Sequence, residues 1–494
     1  MALRNAVQLI TYADRLGGDL PGLQQLLDGP LAGVFGGVHV LPFFPPYDGA
    51  DAGFDPVDHT AVDPRLGTWE DVTSIGRSLD LVVDVIVNHV SADAPQFQDY
   101  LAHGPSSAYA DMFLTMSKVY PDGVTEEGLL TLYRPRPGLP FSAYVFADGA
   151  HRLLWTTFTS RQIDLDVHSR QARRYLGDVL ERLAASGAAM IRLDAVGYAV
   201  KTPGTRSFMT PETFAMIDEL SAQARSLNLE VLVEVHSHYK KQIEIGARVD
   251  WVYDFALPPL ILHTLTASDA DALLRWLEVR PHNAVTVLDT HDGIGVVDVG
   301  ADSADKSLAG LLANDDIDAL VESIHANSGG TSRRATGAAA SNVDLYQVNC
   351  TYYDALGRND EHYLLARLLQ FFTPGIPQVY YVGLLAGSND MELLERTKVG
   401  RDVNRHHYRP EEVAAALERP VVSALMRLIR FRNTHPAFQG DLSFTGGGRA
   451  LELAWRHGTQ SSVLSVDLST STYTLTWTDE GEEQSVNHVR DLPY

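Results

Sequence analysis

Apolar residues in this chain follow two alternating rhythms: short solid runs, and longer stretches in which they recur every three or four positions. The short runs are residues 7–12, 37–41, 81–87, 188–193, 230–235, 251–253, 284–288 and 376–382. They have the length and composition of strands buried on both faces. Between two of them, Ala172, Tyr175, Leu176, Val179, Leu180 and Leu183 share one helical face and predict an amphipathic helix. Similar patterns occupy 68–78, 211–227, 269–277, 360–372 and 411–432. Eight strands alternating with helices predict an α/β fold, a closed parallel (β/α)8 TIM barrel. A doubly wound open sheet would have the same periodicity.

Two connections are too long for simple βα units, and loops of that length usually serve function. One is rich in Pro, Gly, Ser and Tyr and includes Arg134-Pro135-Arg136-Pro137-Gly138-Leu139-Pro140; the other is rich in Ala, Gly and Asp. The barrel is therefore assigned to 1–88, 168–292 and 358–437, with inserted subdomains at 89–167 after strand three and 293–357 after strand seven. From 438 to 494 the helical rhythm stops, and 450–455, 462–467 and 472–477 alternate as short strands. That tail predicts a small C-terminal antiparallel β domain.

Charge and cysteine usage narrow the function classes. Acidic residues number 63 against 39 basic ones, a net charge of -24, which repels nucleic acid and anionic membrane surfaces. An anionic ligand would have to be held by individually placed Arg, Lys or backbone N–H groups. The single cysteine, Cys350, excludes an internal disulfide and fits a reducing compartment. The N-terminal stretch has no long apolar signal core, and no uncharged, continuously apolar segment approaches membrane-spanning length. A cytoplasmic protein is expected.

The chemistry sits where the apolar runs end. Ile191-Arg192-Leu193-Asp194 puts Arg192 and Asp194 on one face of a strand, where the guanidinium is expected to keep the carboxylate ionised. A structural Arg/Asp pair is the bland alternative. Comparable ends recur: Asp84 with Asn88-His89, Glu234 with His236, and His291-Asp292. In a barrel, such ends build one shared site, and burying unpaired acids is costly. Three carboxylates so placed match glycosidic bond cleavage by a retaining route. Asp194 is assigned as nucleophile, Glu234 as general acid/base, and Asp292 as the residue that grips hydroxyls and favours the distorted ring.

The segments Asp84-Val85-Ile86-Val87-Asn88-His89, Ile191 to Val196, Glu234-Val235-His236 and Leu288-Asp289-Thr290-His291-Asp292 resemble the four short motifs of the α-amylase superfamily of glycoside hydrolases. Gln162-Ile163-Asp164-Leu165-Asp166 resembles a weaker fifth. Along the chain, residues 8–16, Tyr47 to Asp55, the Arg134 to Pro140 loop and Asp344-Leu345-Tyr346-Gln347 resemble the sucrose phosphorylase family within it. That resemblance implies transfer of glucose from sucrose to inorganic phosphate with retention, giving α-D-glucose 1-phosphate and D-fructose, in a homodimer without cofactor.

It also implies that Asp51, His89 and Arg401 clamp the glucosyl unit and that His291 does likewise. For His89 the alternative is a satisfied core histidine. Phe54 and Phe158 are candidates for an apolar wall or for core positions, and Gln162 is a further candidate. No Gly-rich phosphate loop is present, so the anion must meet side chains. Arg136, between two prolines, is the leading candidate, with Tyr198, His236 and the loop Asp344, Leu345, Tyr346 and Gln347 near it in the family's arrangement. The alternative is that Arg134 and Arg136 decorate a solvated loop. An Asn at the position of Asn88 often helps hold calcium in the superfamily, whereas sucrose phosphorylases lack a metal; no metal is expected. A phosphorylase of sucrose 6'-phosphate, glucosylglycerol or glucosylglycerate, a sucrose hydrolase, and a non-catalytic sugar-binding module are the competing readings.

Overall fold

The computed structural model describes residues 3–48, 51–136, 138–302, 305–337 and 347–494. Eight parallel strands carry the fold: β1 (Gln8–Thr11), β2 (Gly37–Val40), β3 (Asp80–Ile86), β4 (Met190–Asp194), β5 (Glu230–Val233), β6 (Trp251–Asp254), β7 (Ala284–Thr286) and β8 (Ile376–Tyr380). They close into a barrel in the order β1-β8-β7-β6-β5-β4-β3-β2, so the open-sheet alternative is set aside. The solid apolar runs are explained by position: β1, β2, β7 and β8 are buried along their whole length.

The chain forms two compact units, one mainly Val40–Val235 and the other mainly His236–Tyr494 with Gly22–His39 and most of the N-terminal segment. In the first, β3 pairs with β4 in the register Asp84↔Arg192 and Ile86↔Asp194. β4 pairs with β5 in the register Arg192↔Leu232. The helix predicted around 172–183 runs Arg170–Ala185, and its N-cap Ser169 accepts from the Ala172 N–H, a contact worth about 1 kcal/mol. The segment between β3 and β4 holds short helices and two two-stranded antiparallel sheets, His89–Ser91 with Gln162–Asp164 and Phe141–Val145 with His151–Trp155.

In the second unit, β1, β8, β7 and β6 pair in parallel. Part of their interior is polar: Gln378 donates to Gln8 Oε1 at 2.8 Å and accepts from the Tyr253 hydroxyl at 3.0 Å. Asp254, at the end of β6, accepts from Trp276 Nε1 at 2.9 Å and Arg280 Nε at 2.8 Å. That strand-end acid anchors the second helix after β6, Asp271–Val279, and its C-cap Arg280.

The pattern at 411–432 resolves into two helices, Pro410–Leu417 and Pro420–Thr434. Pro420 has no N–H to donate to the preceding turn, so the apolar rhythm continues across a break. The tail is a five-stranded antiparallel sheet of β9 (Asp441–Gly447), β10 (Ala450–His457), β11 (Gln460–Asp467), β12 (Thr472–Asp479) and β13 (Glu482–Val486). β9 and β13 are additions to the three expected strands. Both are edges and largely exposed, so neither carries the apolar alternation that marks a half-buried strand.

Cys350 is buried and unpaired, and burial pushes its thiol far above the usual range. Among the described residues no helix is long and apolar enough to cross a membrane.

Candidate active site

The register of β3, β4 and β5 assembles the first group of polar side chains. Asp84 lies directly across from Arg192, and period two sets Asp194 on the same face. One further step of the β4/β5 register brings Glu234 abreast of Asp194. The result is one guanidinium among three carboxylates. Arg192 Nη1 lies 2.5 Å from Asp84 and 2.8 Å from Asp194, and Nη2 lies 3.9 Å from Glu234 Oε2. Arg192 and Asp84 are almost fully buried, so removing either partner strands a charge at a cost of about 3–5 kcal/mol.

This geometry corrects the expectation that Arg192 simply holds Asp194 ionised. Burial pushes the Asp194 carboxyl well above the ordinary range; Arg192 pulls it down, and Glu234, Asp84 and Asp51 push it up again. The reason is arithmetic: Arg192 divides a single charge, and Asp84 is its nearest partner. Directly after Asp194 the chain turns through Ala195, whose φ of 53° is left-handed. A non-glycine residue held there stores strain of about 1–3 kcal/mol.

A second layer surrounds Asp51 and His89. Gln162 Nε2 donates to Asp51 Oδ2 at 2.6 Å, and Arg136 Nη2 lies 3.8 Å from Asp51 Oδ1. The Arg136 side chain is largely buried, so it does not decorate a solvated loop. Arg134 Nη1, by contrast, donates to the Gly138 carbonyl in an exposed contact. His89 is buried and its Nε2 sits 2.8 Å from the Phe54 carbonyl oxygen. Burial lowers its pKa, which favours the neutral imidazole. Phe158 is half-buried between His89 and Tyr198, with ring centroids 5.3 and 5.1 Å away. Phe54 is buried, with the Arg192 guanidinium 5.5 Å from its ring centroid.

The other unit contains a second group. Asp292 is paired with Arg401 at 2.7 Å, with His291 Nε2 at 3.8 Å and Arg405 Nη2 at 3.9 Å. Burial alone would push its carboxyl up; the charges of Arg401, His291, His236 and Arg405 outweigh burial and hold it well below the usual carboxylate range. The short helix Gly400–Asn404 and Arg405 also grip the motif's backbone. Asn404 Nδ2 donates to the Thr290 carbonyl and Arg405 Nε to that of His291, both at 2.9 Å. The neighbouring Asp289 is bound to Arg367 at 2.8 Å in a fully buried pair and is structural.

His236 Nδ1 lies 2.9 Å from Asp298 Oδ2. A carboxylate only accepts, so Nδ1 carries a proton and donates it. Asp298 also receives the Ser237 N–H and Gln242 Nε2, each at 3.1 Å. A Cβ on Gly295 would fall 2.5 Å from Asp298 Oδ2, so any larger residue there would displace the Asp298 carboxylate. Gln347 Oε1 accepts from the Gly293 N–H at 2.6 Å. Asp344, Leu345 and Tyr346 lie outside the described residues.

Two residues absent from the sequence assignments belong to these groups: Arg405 and Asp298. Asp298 carried a usable signal, since it ends the apolar run Ile294 to Val297 just as Asp194 ends its own. Arg405 carried none.

The family described as alpha amylase, catalytic domain, matches residues 7–257. The chain is 59% identical to a sucrose phosphorylase of Agrobacterium vitis over 476 residues, covering 96% of this chain and 97% of the relative. It is 53% identical to a sucrose phosphorylase of Bifidobacterium adolescentis over 502 residues, covering 99% of each. Among solved structures, that of sucrose 6F-phosphate phosphorylase from Thermoanaerobacter thermosaccharolyticum superposes with a TM-score of 0.91 at 40% identity, over 99% of this chain and 98% of that one.

Proposed function

The chain belongs to the α-amylase family, and from that membership we propose how its residues carry the reaction. Its activity is that of a sucrose phosphorylase, a hexosyltransferase with sucrose and phosphate as substrates. The observation that supports the assignment of roles is the pair of carboxylates, Asp194 and Glu234, gathered at 2.8 and 3.9 Å about one buried guanidinium.

In the first step Asp194 attacks the anomeric carbon of the glucosyl unit. The bond to the bridging oxygen breaks, that oxygen takes the proton of Glu234, and fructose leaves. In the second step a phosphate oxygen displaces Asp194 from the β-glucosyl ester, any proton it carries passing to Glu234. Two inversions give α-D-glucose 1-phosphate. Asp292, held anionic by Arg401, grips ring hydroxyls and favours the cationic transition state. Asp51, His89, Gln162, His291 and Arg401 hold the glucosyl hydroxyls, with Phe54 and Phe158 as apolar contacts. Glucose 1-phosphate formed from sucrose only when phosphate is present is the expected result; glucose formed at the same rate with and without phosphate would overturn the reading.

For the acceptor we assign phosphate to Arg136, with Tyr198, His236 and Gln347 as further candidates. A hydrogen bond to a charged group is worth about 1.5–3 kcal/mol, so Arg136→Ala is expected to raise the phosphate KM roughly ten- to hundredfold while sucrose hydrolysis changes far less. Equal loss of both activities in initial-rate assays would remove Arg136 from this role. Cytoplasmic location is proposed from the lone buried cysteine and a homodimer from family kinship alone.

A further inference from the structure

The side chain of Lys201 is almost wholly buried, 2% accessible. Its Nζ lies 2.7 Å from Asp164 Oδ2, 2.9 Å from Asn88 Oδ1 and 3.2 Å from Thr157 Oγ1, and it donates to the Tyr198 carbonyl. These four oxygens come from separate segments. Asn88 follows β3, Thr157 and Asp164 belong to the connection between β3 and β4, and Tyr198 lies in the turn after β4. A carboxylate, an amide oxygen, a hydroxyl and a backbone carbonyl converging on one point are the donor set of a hard cation. Here the point is filled by an ammonium, with Asp164 supplying the one countercharge. A metal ion does not fit beside it, because the amine takes the space and the donor atoms.

The arrangement reaches His89. An ammonium only donates, so Asn88 must present Oδ1 to Lys201 and its NH2 to the other side. That side is His89 Nδ1, 3.4 Å from Asn88 Nδ2. Nδ1 therefore accepts and the ring proton sits on Nε2, which faces the Phe54 carbonyl oxygen at 2.8 Å; the Gln162 amide nitrogen, 3.1 Å from the same Nε2, directs its two hydrogens to Asp51 Oδ2 at 2.6 Å and the Phe54 carbonyl at 3.2 Å. Asp164 is also paired in register with His89 across the short antiparallel sheet.

We propose that Lys201 is a positioning residue: its ammonium is a built-in cation standing where a metal ion would be held, tying the connecting segment to the ends of β3 and β4 and fixing the tautomer of His89. The kinetic part rests on the reading of His89 as a glucosyl contact; the cation part does not.

Lys201→Met keeps the length and removes the charge, and Lys201→Ala opens the cage. Loss of an orienting partner typically costs about 10- to 100-fold, so kcat/KM for sucrose is expected to fall by that much in both variants, with a lower Tm. Millimolar CaCl2 is expected to restore part of the Tm and kcat/KM of Lys201→Ala and nothing in Lys201→Met, whose side chain fills the cage. The wild type is expected to respond neither to CaCl2 nor to EDTA. Wild-type values in Lys201→Met would overturn the proposal, as would an equal response of both variants to calcium. Should both fail to fold, Asn88→Asp keeps an oxygen on Lys201 and removes the NH2 from His89. Its Tm is expected to hold while kcat/KM falls at least about fivefold, and an unchanged kcat/KM would break the link to His89. Absent sucrose phosphorolysis in the wild type would sink the functional reading while leaving the calcium and Tm comparison intact.

Discussion

Replacing Asp194 by alanine is expected to lower glucosyl transfer from sucrose by at least about 10⁴-fold, the scale on which removal of a covalent nucleophile is felt. Nothing else in its group can take the role. Asp84 is locked on Arg192 at 2.5 Å, and Glu234 is needed for its proton. The same loss is expected with α-glucosyl fluoride, because the attacking atom is missing whatever the leaving group. Turnover above a hundredth of the wild-type rate in a burst or steady-state assay would show that another group attacks.

The pH dependence follows from the charge balance around Asp194. Asp194 attacks only as the carboxylate, and burial with three acids nearby raises its pKa. Activity is therefore present above that raised pKa and lost as pH falls through it. The acid limb of kcat/KM, which reports the free enzyme, is expected at a pH above the ordinary aspartate value of about 3.9. A limb at or below that value would mean that Arg192 dominates after all.

Glu234→Gln is expected to separate the two steps. Without a proton donor, kcat on sucrose should fall about 10²- to 10⁴-fold. Fluoride leaves without protonation, and phosphate arrives already anionic, so phosphorolysis of α-glucosyl fluoride should fall far less. Measured side by side, equal losses on the two donors would rule out Glu234 as the acid. The two variants thus differ in kind: position 194 fails with every donor, position 234 only with those that need a proton.

The sequence was most informative where a charge interrupts an apolar strand. Asp194 and Glu234 stand out because burial makes such residues expensive. The same signal does not sort catalytic from structural acids: Asp254 ends β6 and Asp289 follows β7, yet each holds a structural arginine, Arg280 at a helix C-cap and Arg367 within a helix. Sorting them takes the partner, and the partner lies 26 or 78 residues away. Lys201 escaped for that reason. It closes the run Ala195 to Val200 with a single charge, and its oxygens are 3 to 113 residues distant. Helix breaks and edge strands failed differently, since Pro420 interrupts hydrogen bonding without interrupting the apolar rhythm, and β9 and β13 have no buried face to announce them.

The lone sulfhydryl of this chain has a practical corollary. Cys350 is enclosed and held protonated, and the thiolate is the reactive form, so maleimide reagents should leave the native enzyme unmodified. A cysteine introduced at an exposed site, such as Thr470 in the tail, would then be the one handle for attaching a fluorophore or a solid support, with no background thiol to remove first.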